Sequence, residues 1–194
     1  MLDNFLKKIL SSEIENVPFP HLFIKGIFKE EDYIKFLKNM PKKEEYVQIN
    51  KTGTVSKNYP AERYKFDIHP KNILNFKGEK FSFFEELLKS FSTNSFFNSV
   101  TSKFKNTIDE RIKNFSNEEK EMYGPELKFE CLISLVKDYS KFKLGAHTDT
   151  PRKFLTFLFY LPKDESMKDI GTSLFSIKDS MNIPSYKMHF DEEA

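Results

Sequence analysis

The chain has 194 residues, 39% of them hydrophobic and 15% aromatic, which suits one domain with a core of its own. Its 31 basic residues offset 29 acidic ones to leave +2, and no long block of either sign stands out, so charge supports neither a nucleic-acid nor a membrane partner. Cys131 is the single cysteine, which excludes an intrachain disulfide and makes a reducing, cytoplasmic setting the expectation.

Leu2, Phe5, Leu6, Ile9 and Leu10 recur at helical spacing with Asp3, Asn4, Lys7 and Lys8 between them. That is an amphipathic helix rather than the continuous apolar core of a signal peptide. No stretch reaches transmembrane length. Residues 19–28 form a short strand-like run punctuated by Pro18, Pro20 and Gly26. Residues 29–40 read as a helix with Tyr33, Phe36, Leu37 and Met40 on one face, acidic residues Glu30, Glu31 and Asp32 at its dipole-favoured start, and Pro41 ending it. Residues 42–80 read as loops with short strands. Residues 81–97 are expected to be helical with Phe84, Leu87, Leu88 and Phe91 inward, 100–115 to continue as helix, and 117–125 to be a polar connection.

From residue 127 the hydrophobic period becomes two: Leu127, Phe129, Cys131, Ile133 and Leu135 share a face, as expected of a strand. A second strand is expected over 141–149. A third covers 154–161, apolar on both faces and bounded by Pro151 and Pro162, the pattern of a strand buried on both sides. A fourth starts at Thr172. Helices first and strands second give an α+β fold as a single domain over 1–194, helix-rich over 1–125 and strand-rich over 126–194.

The second strand carries His147-Thr148-Asp149. On a strand, residues two apart project from one face, so an imidazole and a carboxylate would point the same way. A non-haem Fe(II) site takes two imidazoles and one carboxylate on one face of an octahedron, and this pair supplies two of the three. The same spacing recurs at His189-Phe190-Asp191, which has no apolar run after it and reads as a solvated tail. A Gly-rich phosphate loop, Cys-x-x-Cys, His-Glu-x-x-His and Gly-x-Ser-x-Gly are all missing from the sequence.

His147-Thr148-Asp149, then Thr156-Phe157-Leu158-Phe159-Tyr160-Leu161-Pro162, then Gly171-Thr172-Ser173-Leu174-Phe175 together resemble the 2-oxoglutarate and Fe(II)-dependent oxygenase superfamily, close to its prolyl-4-hydroxylase-like members. The resemblance is best over residues 139–175. It implies N-terminal helices packed on a double-stranded β-helix, a jelly-roll-like barrel whose mouth holds the metal. It also implies Fe(II) on His147 and Asp149, 2-oxoglutarate as cosubstrate, room for ascorbate, and a small-molecule or peptide substrate. In that chemistry dioxygen and 2-oxoglutarate yield succinate and carbon dioxide while a substrate C–H bond is hydroxylated. Tyr139 is the cosubstrate hydrogen-bonding candidate by the same resemblance. From the residues alone, Thr156 reads as a buried strand residue and Lys153 as a solvated surface cation.

The family pattern also asks for a second histidine on a later strand and, about ten residues beyond it, an arginine or lysine for the far carboxylate of 2-oxoglutarate. His189 is the only later histidine, and Lys187 is the last cation. The expectation is therefore a partial β-helix whose C-terminal strands are missing, with His189 as the remaining candidate third ligand. Two other readings stay open: a non-catalytic jelly-roll binding or interaction module in which the metal pair is vestigial, and a helical pair over 80–115 that docks on another protein.

Overall fold

The computed structural model describes residues 2–176 apart from 56, 58, 125, 140, 141, 143, 151, 168 and 169. Among them are seven helices: α1 Leu2–Ser11, α2 Glu30–Asn39, α3 Pro70–Ile73, α4 Gly78–Phe91, α5 Asn94–Lys103, α6 Lys105–Lys113 and α7 Asn117–Tyr123. Three strands, β1 Val47–Gln48, β2 Arg63–Asp67 and β3 Ser134–Asp138, form one antiparallel sheet in that order. The α+β class is as expected. A double-stranded β-helix is not formed among the described residues, and the expected strands over 141–149, 154–161 and from 172 have no strand assignment there.

The chain divides into two compact units, one built from Met1–Leu6, Phe28–Ser99 and Phe129–Lys143, the other from Lys7–Ile27, Val100–Lys128 and Leu144–Ala194. In the first, β2 alternates its side chains so that Tyr64 and Phe66 share a face, and Phe66 is buried against Tyr46, Phe76 and Phe84 at ring-centroid distances of 6.2, 5.5 and 6.0 Å. The chain of rings continues from Phe84 to Phe83 and on to Phe36 of α2. Phe5 of α1, Phe91 of α4 and Phe96 of α5 form a second triad at 5.5, 6.2 and 5.1 Å.

These contacts explain where the helices turn their faces. Phe36 lies 4.9 Å from Phe28 and 5.1 Å from Phe83, which rotates α2 so that Asp32, Phe36 and Asn39 are buried while Leu37 is exposed. Asn39 satisfies its buried amide by donating Nδ2 to the carbonyl of Lys35 at 2.9 Å. On α4, Phe83 joins Phe84, Leu87 and Phe91 in the core. Residues 19–28 make no strand; the backbone there forms an isolated antiparallel bridge between Glu15 and His21.

β2 and β3 pair over five residues, from Arg63 opposite Asp138 to Asp67 opposite Ser134. Both ends are pinned by side chains. The Arg63 guanidinium donates to both oxygens of Asp138 at 2.7 and 2.8 Å and lies 4.1 Å from the Phe142 ring, while the Ser134 hydroxyl donates to Asp67 at 2.6 Å. The ladder runs one residue further at each end, through Ile68 N–H to the Ile133 carbonyl and Tyr139 N–H to the Glu62 carbonyl, both at 2.9 Å. Residues 127–133, expected to begin this strand, lie outside it, since β3 starts only at Ser134.

Residues 117–123, expected as a polar connection, are helix α7. Its start is a reciprocal cap: Glu119 N–H donates to the Ser116 hydroxyl at 3.2 Å, and Ser116 N–H donates to the Glu119 carboxylate at 3.0 Å. No helix among the described residues is long and apolar enough to cross a membrane.

Truncating Phe84, 1% exposed and in contact with three other rings, is expected to cost about 3–5 kcal/mol of unfolding free energy. Phe23→Ala, at a 70% exposed position, is expected to change it by less than about 0.5 kcal/mol. Urea unfolding of the two variants checks the contrast, and equal losses would refute the assignment of the core.

Candidate metal centre

His147 and Asp149 lie in the second unit, in a segment whose conformation is set by side chains rather than by a ladder. Phe154 is its anchor. The Phe115 ring at the end of α6 stacks on Tyr123 of α7 at 4.9 Å, and Phe154 meets both edge-on at 5.9 and 5.6 Å. The Arg111 guanidinium lies over Phe154 at 5.4 Å and bonds Glu119 at 3.0 Å. This aromatic triangle fixes the start of the 154–161 run on the helices, and the described residues give that run no strand to pair with.

Just before that anchor the chain turns, with Lys153 N–H donating to the Thr150 carbonyl at 2.9 Å. The turn brings two donors onto Asp149. Lys153 Nζ donates to Oδ1 at 2.7 Å and the Thr156 hydroxyl donates to Oδ2 at 2.7 Å. Burial opposes the charge on Asp149, but the bonds from Lys153 and Thr156, the Lys153 charge and that of His147 together hold its carboxyl below the usual carboxylate range. His147 Nδ1 sits 2.9 Å from the Gly145 carbonyl, so Nδ1 carries a proton and any lone pair offered to a metal is on Nε2.

The premise that a strand aims His147 and Asp149 from one face is therefore corrected: a side-chain-stapled turn holds the aspartate. Thr156 is likewise corrected, being exposed and outside any strand, whereas Lys153 is the surface cation expected, 53% exposed, and is in addition a direct partner of Asp149. The i,i+4 spacing of Asp149 and Lys153 was the available sequence signal for the Lys153 contact. Thr156 had none, because its approach depends on the turn. Further along, the hydroxyls of Tyr160 and Thr172 are hydrogen-bonded to each other.

Tyr139 belongs to the first unit, where it meets Tyr64 edge-on at 5.1 Å and has the ammonium groups of Lys43 and Lys137 each 5.4 Å from its ring centre. His189, with Lys187 and Asp191, lies outside the described residues. Among the described residues no three His, Cys, Asp or Glu side chains converge as a metal-binding group. The donors in view are thus two of the three that a facial triad requires, which does not make a complete iron site. No protein-family model, curated protein or solved structure matches the chain.

Asp149 is expected to titrate below the ordinary carboxylate range in an NMR pH titration, and Lys153→Met to move it upward. Because its folded-state pKa is depressed, the stability it contributes is present above the unfolded value of about 3.9 and is lost as pH falls through the lower folded value. An Asp149 titration indifferent to Lys153→Met would remove Lys153 as the group that holds it.

Proposed function

We propose that this chain is an Fe(II)- and 2-oxoglutarate-dependent oxygenase, hydroxylating a C–H bond of a small-molecule or peptide substrate in the cytoplasm. The ligands under this reading are His147, Asp149 and His189, with Tyr139 toward the cosubstrate. The finer fold that goes with it is a double-stranded β-helix drawn from residues 126–194.

The observation that carries the reading is that the separated pieces of the family resemblance touch one another. Asp149 of the His-x-Asp element is bonded by Thr156 at the head of the Thr-x-x-x-Tyr-Leu-Pro element, and Tyr160 of that element is bonded to Thr172 of the Gly-Thr element. Three motifs spread over 26 positions are one local structure, as residues of a common site must be.

An iron held here would supply dioxygen activation, and the chain's own residues do the rest. Thr156 holds Asp149 Oδ2, which orients the carboxylate and directs Oδ1 outward as a single-oxygen ligand. Lys153 now occupies Oδ1 and must leave it before a cation can bind there. Gly145 fixes the tautomer that presents His147 Nε2.

The same Lys153 contact favours the second reading, a metal-free binding module: an ammonium at 2.7 Å already neutralises Asp149. The two part company on Lys153→Met. For an oxygenase, the variant binds Mn(II) more tightly than the native chain in anaerobic calorimetry because a competing cation is gone. A binding module shows no Mn(II) heat in either form. Succinate release that requires both 2-oxoglutarate and Fe(II), and is abolished by His147→Ala, is expected of the native chain. Its absence across prolyl peptides and small-molecule candidates, together with absent metal binding, would overturn the proposal.

A further inference from the structure

The sheet face in the first unit that buries Phe66 runs on beyond the helices as Tyr64, Lys137 and Tyr139, with Tyr46 beside them. There it borders an open depression of about 520 Å³ along which Lys43, Lys51, Tyr46 and Tyr64 are lined up. The Lys137 ammonium lies 5.9 Å from the Tyr46 ring and 5.4 Å from Tyr139, and Lys43 also lies 5.4 Å from Tyr139.

Lys43, Lys51 and Lys137 make no ion pair with a carboxylate among the described residues, as is also true of Lys35, Lys71 and Lys77 in the same unit; what sets the three apart is their place beside the depression and its tyrosine rings. Nearby carboxylates are already engaged: Glu45 by Lys80 and Asp138 by Arg63. Glu44 is the one carboxylate lining the depression. The ammonium groups of Lys43 and Lys137, with Lys51 along the depression, flank the partly exposed rings of Tyr64 and Tyr139, while Tyr46 is buried against Phe66 behind them.

We propose that this tyrosine–lysine end of the sheet face binds phosphorylated bases, the base lying against Tyr64 and the phosphates on Lys43, Lys51 and Lys137. Simple anions would use the lysines and leave the rings idle; neutral rings would do the reverse. A nucleotide uses both, by the combination of stacking and backbone neutralisation through which single-stranded nucleic acids are held. The shared chemistry has two sources, a free nucleotide or a nucleotide within a strand. This inference does not rest on the iron site, but it competes with the oxygenase proposal for Tyr139, whose duty here is to fix Lys43 and Lys137.

The test is calorimetric titration of the full chain at low salt without divalent metal, using ATP, inorganic tripolyphosphate, adenosine, 2-oxoglutarate and an oligothymidylate. One-to-one ATP binding is expected, stronger than that of tripolyphosphate or adenosine, undisturbed by 2-oxoglutarate, and weakening as salt rises from about 50 to about 200 mM. Tighter oligothymidylate binding identifies a strand as the source, and ATP binding without it identifies a free nucleotide. The exposed substitutions Lys43→Ala and Lys137→Ala together should weaken ATP at least about tenfold, and Tyr64→Leu should erase the advantage over tripolyphosphate. ATP binding that tripolyphosphate equals, that survives the double lysine variant, or that is absent at low salt overturns the proposal. Far-ultraviolet circular dichroism confirms that each variant is folded.

Discussion

Everything in the first unit depends on the phenylalanine of its central strand. Phe66 is the point at which a sheet of three short strands meets the helices, and a sheet that small has little else with which to recruit a covering layer. A chain with 22 phenylalanines and no tryptophan meets the demand by connecting rings in series, from Tyr46 through Phe66, Phe84 and Phe83 to Phe36 and Phe28. Tilted and edge-on geometries predominate, as ring quadrupoles prefer, so the order of the core is directional as well as apolar. The direction in which α2 faces is a consequence of this network. Leu37 would serve an amphipathic helix as well as Asn39 would not, yet the ring contacts of Phe36 bury the asparagine and expose the leucine.

The helices were legible in the sequence because a 3.6-residue repeat needs only its own segment to be recognised: α1 and α2 lie within a residue or so of their expected limits, whereas α4 ends at Phe91 rather than at 97, and α5 runs through Asn98-Ser99 where a break was expected. α7 was also legible, in Ser116 followed three residues later by Glu119, a pairing that outweighs the polar look of the segment. Strands were a different matter. Alternation along 127–135 and the unbroken apolar run from Phe154 satisfy a strand's side chains, but a strand exists only where a partner offers its backbone, and of these residues β2 forms a strand only with 134–138. The site was legible as residues and illegible as geometry: His147 and Asp149 stand out by type and spacing, whereas the turn that delivers Lys153 and Thr156 depends on where Phe154 is anchored.

Charge shows the same contrast between composition and arrangement. A balance of 31 to 29 suggests an evenly mixed surface. Folding sorts it, because Glu45 and Asp138 near the sheet end are taken by Lys80 and Arg63, which leaves three lysines, distant in sequence, near the same tyrosines with Glu44 as the carboxylate beside them. At Asp149 the sorting runs the other way, with one carboxylate collecting an ammonium, a hydroxyl and the field of an imidazole. Neither local imbalance is visible in a net charge of +2.

The bidentate contact between Arg63 and Asp138 joins residues 75 positions apart, and all of α3 to α7 lies in between. Local helices can form while that loop is still open, but the sheet has no third strand until both ends meet, and the entropy of closing so long a loop is spent before any ladder bond repays it. The salt bridge, the Phe142 ring beneath it and the Ser134–Asp67 bond therefore act as a latch on the last assembled edge. They also make the latch selective: a one-residue slip would bring Arg63 opposite Lys137 and turn Leu135 away from Phe66, so the wrong closure is repelled by charge and unrewarded by packing.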